Sequence, residues 1–344
     1  MKKQIVLISL SLSVWIANAQ SVQLVRKDAE RKVDVLVGGQ FFTSYSYPSE
    51  AVLKKPVLFP IKTAKGTTIT RGFPLEPRAN ERTDHPHHVG LWLNYESVNG
   101  LDYWNNSTAI AADKRLEKYG LIRHTGILQM KNGKVGKLKV SADWVEKDGT
   151  GKVVLKEITQ YRFSGNDSLR VIDRETTLTA FETDVTFNDV KDGWLGLRVA
   201  RELEHPSNKP DVFTDANGIE TKVPVVNTEG VVGHYHSSEG VEGEAVWSTR
   251  AKWLALSGKI GAEDIDIAIL DHPKNVNYPT YWHARGYGLF ALNPLGEKVF
   301  SNGLKTLNFS LKKGESTTFR YRIVVKSGKI SNSEADKWAA DFGK

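Results

Sequence analysis

Lys152-Val153-Val154-Leu155-Lys156-Glu157-Ile158-Thr159-Gln160-Tyr161-Arg162-Phe163 and, after a break rich in Gly, Asn and Asp, Ser168–Ala180 set the fold class. Both runs alternate apolar with polar residues and favour Val, Ile, Thr and aromatics, the pattern of strands with one buried face. The same signature recurs at Val33–Val37 before Gly38-Gly39, at Lys137–Val140 after Asn132-Gly133, and at Asp184–Asn188, Ile265–Leu270, Thr306–Leu311 and Ser316–Lys326. Helical pattern is sparse, confined to a turn at Ala109–Lys114 and a capped closing segment from Ser333 through Ala340. The sum is an all-β chain. No linker or shift in composition marks a boundary, so the expectation is one large antiparallel β-sandwich domain over residues 20–344.

Composition bounds the rest. At 344 residues and 40% hydrophobic content, the chain can bury a sizeable core. Met1-Lys2-Lys3, an apolar run from Ile5 to Ile16 and Ala17-Asn18-Ala19 follow the order of a secretory signal, which predicts a mature chain starting near Gln20, periplasmic or secreted. That run is too short to span a bilayer, and no other stretch approaches the length, so membrane insertion is not expected. Zero cysteine removes disulfides, thiolate ligands, thiol nucleophiles and lipidation at a cleavage-site cysteine. The net charge of +7 falls to +5 without Lys2 and Lys3, and the lysines are scattered, which argues against nucleic acid. No nucleophile elbow, zinc-protease helix, Walker loop or dinucleotide fingerprint is present, and no motif points to NAD, flavin or haem.

Chemistry concentrates in Asp84-His85-Pro86-His87-His88, where three of nine histidines crowd beside Arg82 and ahead of Trp92. The prolines of the stretch from Arg71 exclude a regular central strand, so these residues belong to a loop or strand edge. Imidazoles there can transfer protons or bind metal. In an extended segment His85 and His87 share a side and His88 faces away, so one loop would not present all three to a single ion. The plainer alternative is a turn at Pro86 with one histidine exposed and another bonded to a carbonyl. Asp271-His272-Pro273-Lys274-Asn275 repeats the tripeptide at the end of a buried run, where Asp271 either serves a site or fixes the loop. Tyr281-Trp282-His283-Ala284-Arg285 sets aromatics around a His and an Arg, as a sugar site needs, although sandwich cores also contain Trp and Tyr. Arg198 stands alone in an apolar run, either holding substrate oxygens or pairing with Asp192 or Glu202. His234-Tyr235-His236 has strand spacing for two ligands but little acidic support.

Arg71-Gly72, Thr83–His88, Gly196-Leu197-Arg198, Ser238-Glu239-Gly240, Asp271–Asn275, Trp282-His283, Gly288-Leu289-Phe290 and Asn293-Pro294 together resemble a secreted bacterial family of unknown function, DUF6807, often labelled "methane oxygenase PmoA". The resemblance covers nearly the whole mature chain and implies a carbohydrate context. A looser one, to the galactose mutarotase-type supersandwich, implies a catalytic histidine at His85 or His88 and a second at His283. Glu297 is the only acid near the position of the C-terminal glutamate that such proteins use as base.

The leading expectation is a protein that acts on or binds a carbohydrate or other small polar substrate. His85, His88, His283 and His272 would act as acid or base with Asp84 and Asp271, while Arg71, Arg198, Arg285, Asn275, Trp92 and Trp282 bind substrate. Two alternatives stand beside it. One is a metalloenzyme with Zn, Cu or non-haem Fe held by a set drawn from His85, His87, His88, His283, His272, Asp84 and Asp271. The other is a glycan-binding module without catalysis.

Overall fold

Alternation along the strands gives each a buried stripe, and two such surfaces facing one another build the core. Leu169–Ala180 strictly alternates half-buried and buried positions, its inward residues being Arg170, Ile172, Arg174, Thr176, Leu178 and Ala180. The computed structural model describes residues 20–344, so the leader-like segment 1–19 lies outside the described residues.

Two eight-stranded sheets, antiparallel throughout, face each other. The first runs in the order Val22–Lys27, Lys32–Val37, Gln40–Ser46, Val57–Ile61, Leu91–Tyr95, Gly193–Arg198, Leu289–Asn293 and Tyr281–Trp282. The second runs His234–Ser237, Trp253–Ile260, Glu263–Asp271, Ser316–Ser327, Leu169–Ala180, Val153–Gly165, Gly136–Val145 and Leu121–Lys131. The architecture is the expected all-β antiparallel sandwich. Thr306–Leu311 pairs only over Phe309–Leu311, in a separate two-stranded ladder with Val185–Phe187. The turn foreseen at Ala109–Lys114 is a helix, Ala112–Lys118, and the closing helix spans Asn332–Phe342. Its cap is Ser331, not Ser333: Ser331 accepts from the Glu334 amide while Glu334 reaches back to the Ser331 amide. No helix among the described residues is long and apolar enough to cross a membrane.

One apolar cluster fills the space between the sheets and draws on both, from Val35, Leu93, Leu195 and Leu292 on one side to Leu138, Phe163, Ile172, Ile267 and Ile323 on the other. A second cluster lies on the opposite, outer face of the first sheet: Val57, Phe59, Val89, Trp92, Trp104, Leu289 and Ala291. Side chains exposed outward by a sheet are normally solvated. Here the chain from Arg71 to Gly90 folds over that face, and the chemistry collects under it.

Candidate functional site

Between the bridge Thr70↔Val199 and the strand Leu91–Tyr95 the chain has few ladder partners for its amides and carbonyls, so charged side chains supply them. Arg71, 1% exposed, donates through Nη1 to the carbonyls of Arg82 (3.1 Å) and Asp84 (2.7 Å), and through Nη2 to those of His85 (2.8 Å) and His88 (3.1 Å). Glu81 accepts from the amides of Gly72 and Phe73 at 2.7 and 2.9 Å. Arg71, expected to bind substrate, instead holds the loop in shape, because its fork is spent on backbone oxygens.

The loop is not extended at the histidines. His85 has φ 45°, in the left-handed region, and the His88 amide donates to the His85 carbonyl at 2.9 Å across Pro86. The turn draws all three rings together, with centroids 4.8 Å apart for His85 and His88, 4.3 Å for His87 and His88, and 5.6 Å for His85 and His87. The expected split of His85 and His87 from His88 therefore fails, since its period-2 argument needs a strand.

Asp84 is the electrostatic centre. Its carboxylate accepts from Arg71 Nη1 (2.9 Å), Arg198 Nη2 (2.6 Å) and Arg198 Nη1 (3.3 Å), and meets His85 Nδ1 at 2.5 Å. Burial alone would raise the Asp84 carboxyl, but Arg198, the His85 bond and Arg71 outweigh it and hold the group well below the ordinary carboxylate range. Arg198 thus has the ion pair its apolar setting demanded, with Asp84 rather than Asp192 or Glu202, and Asp84 lies 114 positions away. Arg198 Nη1 also points at His88 Nδ1, 3.3 Å away. A guanidinium can only donate, so His88 Nδ1 is the acceptor and the ring proton sits on Nε2. Burial, with His87 and Arg198 adding to it, pushes His88 well below its normal pKa, so His88 is a fixed neutral N–H donor.

Four rings stack from the surface inward. Tyr287 lies on His85 (5.1 Å, 1°), His85 on His88 (4.8 Å, 4°) and His88 on Trp92 (5.1 Å, 22°). The His85 side chain, second in the stack beneath Tyr287, is 41% exposed, whereas Trp92 at the bottom is fully buried. A Cβ on Gly196, in the neighbouring strand, would come within 2.5 Å of the Trp92 ring, so that position has to be glycine for the indole to lie flat. Trp92 therefore supports the histidines and offers no face to a ligand. Lys55 Nζ donates to the His87 carbonyl at 2.7 Å and sits 5.3 Å from the Trp92 ring, and burial pulls its ammonium down to about 7. Among the described residues His87 Nε2, His88 Nε2 and Trp92 Nε1 are buried without a hydrogen-bond partner.

His283 approaches this cluster from the strand-edge segment after Trp282. It is buried, its Nε2 lies 3.8 Å from Asp192 Oδ1, and its Nδ1 has no partner. Burial, then the charges of Arg285, Lys191 and His85, pull it down to about 3. Trp282 itself is a correction: fully buried, it packs toward Phe290 in the core and donates from Nε1 to the Ala251 carbonyl at 3.1 Å. Adjacent residues of a strand face opposite ways, so Trp282 and His283 cannot share a ligand.

The second Asp-His-Pro segment does not join the site. Asp271 ends a strand of the second sheet, where its carboxylate accepts from the His272 amide (2.9 Å), Asn275 Nδ2 (2.7 Å) and the Thr280 amide (2.8 Å), and burial raises it to about 6. Asn275 Oδ1 accepts from the Arg320 amide, and His272 Nδ1 from the Lys274 amide. All three residues close a loop, the turn-forming alternative for Asp271. Glu297 is likewise taken up elsewhere, by Asn277, Tyr281 and Arg250. His234 and His236 lie on the edge strand of the second sheet, one stacked toward His205 and the other against Trp253.

No group of three or more His, Asp or Glu in metal-holding arrangement occurs among the described residues. The reason is visible in the rings: His85 and His88 are parallel and stacked, so their nitrogens do not converge, and His88 Nδ1 already faces a guanidinium. The donor set does not fit the ion envisaged in the metalloenzyme alternative.

Four participants were not singled out from the sequence. Tyr287 and Trp104 carry no local signal that gives them a role. Lys55 lies in an unremarkable Lys-Lys-Pro. Glu204, which pairs with Arg82 at 2.7 Å and is raised to about 7 by burial, carries no local signal.

Residues 32–340 match the family described as "Family of unknown function (DUF6807)". The chain belongs to this family. No curated protein matches it. Among solved structures it is similar to the galactosidase domain of alpha-galactosidase-sucrose kinase (10% identity, TM-score 0.39, 89% of this chain and 42% of that one). It is also similar to a beta-arabinopyranosidase (12%, 0.31, 89% and 38%) and to a galactose mutarotase-related enzyme from Lactobacillus acidophilus (10%, 0.27, 90% and 99%). The DUF6807 chain spans less than half the length of the first two, and at such identities the likeness concerns fold alone.

Proposed function

We propose that Asp84 and His85 are the acid/base pair of a carbohydrate-active site on the outer face of the first sheet. The observation that carries this reading is the 2.5 Å contact between Asp84 Oδ2 and Nδ1 of His85, a side chain that is 41% exposed. A carboxylate held ionised by two guanidiniums favours the proton on Nδ1 and would leave Nε2 as the free lone pair of a ring that is 41% exposed, the arrangement of a base that takes a proton from a hydroxyl or an activated C–H. His88, neutral beside Arg198 and stacked under His85, would hold the plane of the His85 ring, its own Nε2 being buried. Nothing in the cluster resembles an activated serine or a phosphate cradle, and proton transfer on a small polyhydroxylated substrate needs neither. We also propose that the chain works outside the cytoplasm as one domain, on the strength of its leader-like first nineteen residues and its uniform strand pattern.

The test is a panel of monosaccharides and oligosaccharides followed by calorimetry and by NMR of anomeric and epimeric exchange, with wild type, His85→Gln and His272→Gln. Loss of at least about 100-fold in turnover for His85→Gln is expected, at unchanged melting temperature. His272→Gln should behave as wild type. Full activity in His85→Gln, or loss confined to His272→Gln, would show the site to be misplaced.

A further inference from the structure

We infer that the sugar taken by this site is an acidic one, whose carboxylate is gripped by Arg285. The inference rests on Asp84 and His85 being the reacting pair, and adds the substrate class.

The turn from Arg285 to Leu289 carries Arg285 and Tyr287, and the Arg285 charge acts on the Tyr287 hydroxyl. It closes through the Arg285 amide on the Leu289 carbonyl (2.7 Å) and the Gly288 amide on the Arg285 carbonyl (3.1 Å), with Gly288 at φ 89°. Its tip residue, Tyr287, lies flat on His85, so the turn is anchored to the proposed base. Its first residue, Arg285, is near enough to His283 to be the strongest charge acting on it.

Arg285 differs from the other arginines here. Arg71, Arg82 and Arg198 are buried, and each is paired with a carboxylate at 2.9 Å or closer. The half-buried Arg285 guanidinium, by contrast, makes no ion pair and no side-chain hydrogen bond with any described residue. It rests on the Trp247 ring, 4.7 Å from its centroid. Stacking fixes the plane of the fork and leaves its N–H edge unoccupied, which is the preorganised form of a bidentate oxyanion clamp. Glu244, beside the next residue of the turn, accepts from the Gly286 amide at 3.2 Å.

The surroundings favour an anion as well. Lys191 joins Arg285 in acting on His283, and the carboxylate of this patch, Asp192, is 3.4 Å from Lys191. Asp84 is neutralised twice over by Arg71 and Arg198. A neutral sugar would leave the charge of Arg285 unanswered, whereas a uronic acid would meet it with a planar carboxylate matching the fork. A phosphate ester offers the same oxyanion chemistry without that planarity.

The experiment measures affinity for glucose, galactose, their sodium uronates and glucose 6-phosphate by calorimetry in low salt, for wild type, Arg285→Gln, Arg285→Lys and His85→Gln. Uronates are expected to bind about 10- to 100-fold more tightly than the matching neutral sugars, as for one hydrogen-bonded charge pair. Arg285→Gln should erase that ratio by weakening the uronates alone, and Arg285→Lys should restore part of it. His85→Gln should keep the ratio while turnover falls. An unchanged ratio in Arg285→Gln overturns the inference, as does a preference for glucose 6-phosphate over the uronates. Equal use of neutral sugars, still dependent on His85, overturns it and leaves the acid/base reading standing. No binding of any of these sugars removes both.

Discussion

Replacing Asp84 by Asn keeps the shape of the side chain and deletes the one carboxylate that Arg71 and Arg198 reach directly. Those guanidiniums are 1% and 0% exposed and meet Asp84 at 2.9 and 2.6 Å. With the charge gone, two cations remain side by side in a poor dielectric. Removing one partner of a buried pair costs roughly 3–5 kcal/mol, mostly from the charge left behind. Two arginines share this carboxylate, so the upper half of that range is expected; the backbone oxygens bonded to Arg71 keep the cost from doubling. Urea unfolding followed by tryptophan fluorescence would read it as a lower midpoint at unchanged slope. A double variant, Asp84→Asn with Arg198→Met, should recover a large part of the loss, since a neutral side chain of similar length then fills the site. If Asp84→Asn costs less than about 1 kcal/mol, or the double variant is the sum of its singles, the buried charges are not what Asp84 compensates.

Two further outcomes follow from the same contacts. Gly196→Ala would drive a Cβ to 2.5 Å from the Trp92 ring and should cost about 1–3 kcal/mol by overpacking, seen as a lower melting temperature together with a changed near-ultraviolet dichroism; unaltered stability would mean the indole can slide aside. His283, lowered by burial to about 3, stays neutral in the folded chain while its unfolded counterpart, near 6.5, takes a proton. Its share of stability is therefore complete above about pH 6.5 and is lost as pH falls toward 3, at up to about 1.4 kcal/mol per pH unit. His283→Gln should flatten the stability profile by that one proton between pH 6 and 4; an unchanged slope would place the proton uptake elsewhere, His87 and His88 being shifted in the same direction.

How far the site was legible depended on the range of the information. Crowding of Asp84, His85, His87 and His88 is a local property, and the structure gathers these residues into one cluster. What the histidines do there was not local. The left-handed turn at His85 brings together rings that strand geometry would separate, Arg198 sets the tautomer of His88, and Tyr287 covers His85 from another turn. The twin segment at Asp271 reads from sequence as either a site or a loop-former because a tripeptide carries no record of its neighbours. Its carboxylate turned out to be consumed by three donors within nine residues. Trp282 shows a related limit: aromatic composition does not say which face of the sheet a ring occupies, and pairing with Leu292 puts it inward and His283 outward.

By itself, then, the sequence determined what repeats along the chain: the period of two that makes strands, the absence of thiol chemistry, and one loop too rich in ionisable groups for packing. Only the tertiary structure decided which distant groups meet. Fixing the His88 proton needs a guanidinium from residue 198, and the plane of the Arg285 fork is set by the ring of residue 247. Such facts depend on distances between strands whose order in the sheet is not their order in the chain, and charges act through those distances.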